Sequence, residues 1–408
     1  MLSNIHFLLL ASLSLTSIAA PAPHWKRPST HAPAGAKAIY LITNDQSNSV
    51  VALPVGSDGT LSKGTLTPTG GEGSNTIDGA TNQPAAPDAL VAQSSLTRVG
   101  NNIFAVDAGS NTVTMLSLDP QNPTALTVVG QPVPLPGQFP NTVAASAKNK
   151  LVCVGTTGTQ NGVSCSTFSA QGLSPMDDLR SFGLNQSTPP VGPTNTVSQL
   201  FFADDESRLF ATVKGDPTVN NTGFFSVFPV EFSGCNGPAT LSSQDVRSSP
   251  SGTAVLFGSK NIPGTSKVFV TDASFGGAIL SVNPASNEVS LVANQTIDGQ
   301  KATCWATISP ATNSAFVTDV AVNRLVEMSL TDASILSITD LSANGDPGLI
   351  DLVAAGNLVY ALSPGNGTTP AAVTVLDVSG GQGTAKMIQH FRLDGMGVGK
   401  NAQGMAFF

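Results

Sequence analysis

SPATNSAFVTDVAVNRLVEMSL, residues 309–330, holds two short apolar runs separated by a polar turn, with a second polar turn in front. Asp319 and Asn323 mark the turn between the runs. The same layout recurs in IFAVDAGSNTVTMLSL (103–118), in YLITNDQSNSVVALPV near the N-terminus, and in VFVTDASFGGAILSV (268–282), where Gly276 stands at the Asn place. Asp and Asn side chains bond nearby backbone amides, and Asn and Gly tolerate left-handed dihedrals. Most of these Asp residues are therefore expected to be structural. The turn in front repeats too, as ADDESRLFATV, RVGNNIFAVD, SAKNKLVCVG and AAGNLVYALS.

Counting the strands that follow these turns gives seven: 38–42, 102–106, 151–155, 208–213, 267–271, 314–318 and 358–362, spaced 44 to 64 residues apart. A period of that size, with about four strands per unit, predicts a β-propeller. A further strand should precede each turn. DALVAQS, NTVAASA, TVSQLFF, TAVLFGS, CWATIS and LIDLVA supply six, and NAQGMAFF at the C-terminus supplies the seventh. The expected fold is all-β: a seven-bladed propeller over residues 37–408, its first blade closed by the C-terminal strand so that no sheet edge stays open. The segment between Cys235 and Lys260 parses poorly, which leaves six- and eight-bladed counts as rivals.

Composition agrees. Charged residues make up 11% of the 408-residue chain against roughly 25% in an average domain, while Gly (40) and Pro (28) are abundant. Asp (21) far outnumbers Glu (5), which suits turns better than helix faces. A net charge of -8 argues against nucleic acid and anionic membranes as partners.

Residues 1–20 read as a secretory signal, apolar from Phe7 to Leu15, with Ser17, Ala19 and Ala20 suited to cleavage. The apolar run is short of the roughly 20 residues that span a bilayer, and no later segment would span one. Residues 21–36, rich in Pro and Ala, read as a flexible leader. The chain is thus expected to be secreted, extracellular or in a cell wall. Four cysteines in such a chain suggest two disulfides: Cys153 with Cys165 across a turn, and by elimination Cys235 with Cys304. Asn185, Asn220, Asn294 and Asn366 are glycosylation sequons.

CWATISPATNSAFVTDVAVN (304–323), FVTDASFGGAIL (269–280) and the terminal QGMAFF make the chain resemble the lactonase-type seven-bladed propellers, in particular the secreted fungal proteins called 3-carboxymuconate cyclase-like. The resemblance spans most of the mature chain. It implies lactone chemistry, either closing a carboxylated muconate or opening a sugar lactone; some secreted relatives are instead cell-wall glycoproteins that adhere to host matrix. The family's enzymes are associated with a His and basic residues around the channel mouth.

The residues for that chemistry are scarce. The histidines are His6, His24, His31 and His390, so none falls between residues 32 and 389 and the catalytic His finds no matching position. The starts of the inner strands offer Asp88, Asn141, Asn195, Trp305, Asp346 and Gln403 as channel-mouth candidates. Lys301, Arg392 and Lys400 are the nearby cations that could clamp a carboxylate; solvated surface charge is their plainer role. Trp305 suits stacking on a sugar or ring, or packing between blades. There is no zinc-type Cys/His spacing, G-x-S-x-G elbow or phosphate loop, and Asp204, Asp205 and Glu206 read as a solvated turn. No cofactor or metal is expected. Two functions stay open: an extracellular binding or adhesion protein for a small-molecule, glycan or matrix ligand, and an extracellular lactonase or cyclase.

Overall fold

The computed structural model describes residues 35–232, 234 and 237–408. The expected signal segment, nearly all of the leader, His6, His24, His31 and Cys235 lie outside the described residues. Among the described residues, no helix is long and apolar enough to cross a membrane.

The repeated pattern forms seven antiparallel blades. From the inner strand outward, blade 2 is Leu96–Val99, Asn102–Asp107, Thr112–Asp119 and Asn122–Val128. Blade 3 opens with Pro140–Ser146, Leu151–Thr157 and Asn161–Ser169, and blade 4 with Val197–Phe202, Arg208–Val213 and Phe224–Phe232. Blade 5 is Leu256–Asn261, Lys267–Asp272, Gly276–Val282 and Val289–Thr296. Blade 6 is Thr303–Ser309, Ser314–Asp319, Val322–Ser329 and Ile335–Asp340, and blade 7 is Ile350–Ala355, Leu358–Ser363, Ala372–Asp377 and Lys386–Arg392. Blade 1 combines both ends of the chain: Gln403–Phe407, Ala38–Ile42, Ser49–Pro54 and Thr65–Pro68.

Burial explains the sequence pattern. Second strands such as Ser314–Asp319 are buried along their whole length, sandwiched between neighbouring blades, and so read as continuous apolar runs. Outer strands such as Ile335–Asp340 alternate between half-buried and exposed positions, and so alternate in polarity. The ambiguous segment after residue 235 resolves into two short strands, Ala239–Leu241 and Val246–Ser248, which share the long Phe224–Phe232 as partner. They form one split outer edge of blade 4 and leave the count at seven.

The repeated Asp does more than shape its own turn. Asp272 accepts the backbone N–H groups of Ala254 (2.7 Å) and Val255 (3.1 Å), and Asp319 those of Lys301 (2.7 Å) and Ala302 (3.1 Å). Each carboxylate thus staples the start of the inner strand to the end of the second strand in its blade. Gly276 is required at the Asn place of blade 5: its φ is +148°, and a Cβ there would sit 2.6 Å from the Gln295 carbonyl oxygen.

Closure follows the expected register, with Ile39 opposite Phe407 and Tyr40 opposite Ala406. Beyond the strand, the Phe408 carbonyl accepts the Lys37 N–H at 2.5 Å, and the Arg98 guanidinium lies 5.4 Å from the Phe408 ring centroid. Two expectations need correction. DALVAQS is not the inner strand of blade 2. Asp88, Val91 and Ser94 have φ of 65°, 47° and 65°, which breaks any extended run, and the strand begins only at Leu96. Nor is Cys304 in a disulfide, and its expected partner Cys235 lies outside the described residues. Cys153 and Cys165 form the cross-strand disulfide, directly opposite one another, but Cys304 is a buried free thiol on an innermost strand.

Removing residues 401–408 would bare the Ala38–Ile42 edge and a face of core. The truncated chain should fail to accumulate or melt more than about 10 °C lower; a melting temperature equal to that of the full chain contradicts the closure. In non-reducing peptide maps, Cys153 and Cys165 should appear linked and Cys304 should alkylate only after unfolding. A Cys235–Cys304 peptide would refute that assignment.

Candidate functional site

The segment that failed to become a strand fills the centre of the propeller. Residues 88–95 run through the channel as an irregular plug, buried throughout except at half-buried Ser94. A buried irregular backbone must have its polar groups satisfied, and five blades supply partners. From blade 3, Asn141 Nδ2 donates to the Leu90 carbonyl (3.2 Å) and the Val143 N–H to the Ser94 carbonyl (2.8 Å). In blade 4 the Ser198 carbonyl accepts the Gln93 N–H (2.9 Å), and Lys214 Nζ donates to the Val91 carbonyl (2.6 Å). Blade 6 contributes Trp305, whose Nε1 donates to the Ala92 carbonyl (3.3 Å), and Ala306, whose backbone exchanges two hydrogen bonds with the Gln93 amide (2.9 and 3.2 Å). Asp351 of blade 7 accepts from Gln93 at 3.3 Å, and Gln403 of blade 1 donates to Asp88 at 3.4 Å. Blade 5 leaves room: a Cβ on Gly258 would sit 2.2 Å from Gln93 Oε1.

Above the plug lies a cavity of about 170 Å³, lined mainly by apolar groups including Val91, Val255 and Phe257 and by four ionisable ones, Asp78, Asp88, Lys214 and Cys304. Two long inter-blade loops roof this mouth, joined by a short parallel pairing of Ile77–Asp78 with Val191–Gly192.

Of the expected mouth residues, Asp88 lines the cavity, Gln403 touches it through Asp88, and Asn141 holds the plug. Trp305 is fully buried, in edge-to-face contact with Phe257 at 5.0 Å, and offers no face to a ligand. Asn195 lies in a separate surface depression beside Asp216. Asp346 accepts from the imidazole of His390 at 3.0 Å and does not line the cavity. The three expected clamp cations do not converge. Lys301 and Lys400 are exposed, and Arg392 pairs with Asp394 at 2.7 Å on the surface.

The cation at the mouth is Lys214, which sequence reasoning missed. Its one signal was a lysine directly behind the apolar run RLFATV, where a strand buried on both faces continues into the interior. It is 1% exposed and lies 4.4 Å from the Phe257 ring centroid. Burial pulls its pKa down to about 8, partly offset by the nearby Asp88 carboxyl. Burial pushes Asp88 up to about 7, against the pull of Lys214, Gln403 and the Val91 and Ala92 amides. On the far side of Gln93, burial also raises Asp351 to about 7, opposed by Lys260. The Cys304 thiol is pushed up by burial, and so is unreactive as a thiolate at neutral pH. The cavity therefore offers an amine and a carboxyl able to exchange a proton near neutrality, in surroundings that exclude most water.

Comparison with known proteins bears on the scaffold. No protein-family model and no curated protein matches the chain. Among solved structures, the periplasmic gluconolactonase of Pseudomonas aeruginosa superposes with a TM-score of 0.61 at 15% identity, over 90% of this chain and 99% of that one. A Lactobacillus plantarum protein gives 0.58 at 14% identity over 91% and 99%. A candidate 6-phosphogluconolactonase of Bacteroides fragilis gives 0.56 at 10% identity over 94% and 100%. At these identities the likeness establishes the lactonase-type propeller fold.

The buried acids make stability depend on pH. Asp88 and Asp351 keep their proton up to about pH 7 in the fold but lose it near 3.8 when unfolded, so the folded state binds more protons between these values. Stability should fall as pH rises from about 4 to about 7. Lys214, neutral in the fold above about pH 8 but charged up to 10.5 when unfolded, should restore stability over that later interval. Melting temperatures across this range should show a minimum near neutrality, and Asp351→Asn should flatten the acid limb. A wild-type melting temperature that climbs steadily from pH 4 to 7 would contradict these assignments.

Proposed function

We propose that this chain is an extracellular glycoprotein that uses a lactonase-type propeller as a binding scaffold and does not transform lactones or muconates. The observation that carries this reading is the plug. A sugar lactone or a tricarboxylate needs a site of several hundred Å³, and residues 88–95 occupy the channel where such a site would open, leaving about 170 Å³. Stabilising negative charge on a polycarboxylate calls for several fixed cations, and the cavity lining contains one, Lys214. A groove of about 370 Å³ between blades 4 and 5 is of ligand size; Asp204, Arg208, Phe210 and Lys267 are among its walls. Asn185, Asn220, Asn294 and Asn366 are all exposed, and the cross-strand disulfide suits an oxidising compartment. A glycan or matrix glycoprotein is the partner class this reading favours.

One observation favours the second reading, an extracellular lactonase or cyclase: Asp88 and Lys214 share the mouth cavity as an acid and an amine. The two readings separate in a direct assay. Purified secreted protein, incubated with gluconolactone and with 3-carboxymuconate, should give no turnover above background, and should be retained by an array of glycans and matrix proteins, with retention weakened at least several-fold by Lys267→Glu. Turnover that disappears in Lys214→Ala would overturn the binding reading. Glycan mapping should find at least two of the four sequons occupied; four bare asparagines from a eukaryotic secreting host would count against the extracellular assignment.

A further inference from the structure

Lys214 is unusual among the buried groups of the channel. Its side chain is 1% exposed, yet among the described residues it makes no direct ion pair. Nζ donates to the Val91 carbonyl at 2.6 Å and to Ser198 Oγ at 3.1 Å. A neutral amine has two N–H bonds and one lone pair, so these two acceptors use both hydrogens. The remaining valence is left for the cavity that Lys214 lines together with Asp88 and Cys304. Phe257 beneath the amine and Val91 and Val255 around it keep the surroundings apolar.

We propose that Lys214 is a nucleophilic amine that captures a small aldehyde or ketone in this cavity as an imine. This goes beyond the binding function assigned to the propeller surface and does not depend on it. The volume fits the ligand class: a cavity of about 150 Å³ admits a molecule the size of benzene, so about 170 Å³ takes a carbonyl compound of roughly six heavy atoms. Desolvation is what makes lysine a nucleophile, because it keeps a fraction of the amine neutral at ordinary pH. The downward displacement of Lys214 to about 8 has this cause.

The step balances without any oxidant. The Nζ lone pair forms a bond to the carbonyl carbon while the C=O π electrons move to oxygen. That oxygen takes the proton of the Asp88 carboxyl, and the Asp88 carboxylate takes one from nitrogen, giving a carbinolamine. Asp88 then returns its proton to the hydroxyl, which leaves as water as the nitrogen lone pair forms the C=N bond. The last N–H proton returns to Asp88. Amine plus carbonyl becomes imine plus water, and Asp88 ends as it began. Its raised pKa suits both halves of the shuttle.

The test uses the full secreted protein at pH 7 with glycolaldehyde as probe and cyanoborohydride to reduce any imine, read by intact mass and peptide mapping. One adduct should form at Lys214, on the order of 100-fold faster than at exposed lysines, the ratio of neutral amine expected between a pKa of about 8 and the usual value. Lys214→Arg, which keeps a donor for the Val91 carbonyl but buries a permanent charge, should lose that adduct and melt at a lower temperature. Should that variant not fold, pyruvate added to the wild type should slow labelling of Lys214 alone. Asp88→Asn should slow the Lys214 adduct at least tenfold. Labelling spread over Lys63, Lys301 and Lys386 with Lys214 untouched would overturn the proposal. A Lys214 rate equal to theirs, or one indifferent to Asp88→Asn, would overturn it as well. None of these outcomes depends on whether glycan or matrix binding is found.

Discussion

The centre of this propeller depends on one requirement: a non-repetitive stretch of backbone, residues 88–95, is buried on all sides and must still hydrogen-bond. Seven inner strands radiate around a channel, and their own ladders leave no partners for the eight-residue segment lying across them. Side chains supply those partners. Gln93 is the hub, because its amide forms a pair of hydrogen bonds with the backbone of Ala306 and a third with Asp351. Lys214, Trp305 and Asn141 each take one plug carbonyl. Leaving any of these buried acceptors unpaired would cost about 1–3 kcal/mol, so the polar residues of the channel are accounted for first by structure.

That requirement also explains the chemistry. Lys214 is buried because the Val91 carbonyl needs a donor that reaches the centre from blade 4. Once buried, its amine is no longer firmly protonated, and Asp88 beside it is no longer firmly ionised. Three left-handed residues in the plug, Asp88, Val91 and Ser94, add local strain, which is costly for a β-branched valine. Strain of this kind persists only where surrounding contacts over-determine the backbone, as they do here.

The architecture was legible in the sequence because each second strand is buried on both faces and bounded by a turn with fixed chemistry. Residues 38–42 and 208–213 appear with the expected limits, and the C-terminal strand pairs where the missing seventh strand required it. The site was less legible. DALVAQS has the composition of a strand, and nothing local announces three positive φ values; they follow from tertiary contacts. Asp88 was identified for a different reason from the one that places it in the cavity. Trp305 was read correctly as an inner-strand residue, but its ring faces the plug rather than the solvent. Lys301, Arg392 and Lys400 lie close to the mouth in sequence and reach solvent more easily than the channel. Lys214 was hidden because a lysine at a strand end normally reads as surface charge.

Hydrogen exchange at the Gln93 and Ala306 amides tests the central claim most directly, since both protons are donated within the plug contact, to Ser198 and to Gln93. If residues 88–95 seal the channel as an integral part of the core, both amides should exchange only with global unfolding, as slowly as the most protected amides of the second strands. Exchange at the rate of a surface loop, while those strands stay protected, would show that the plug leaves the channel in solution and would contradict the account.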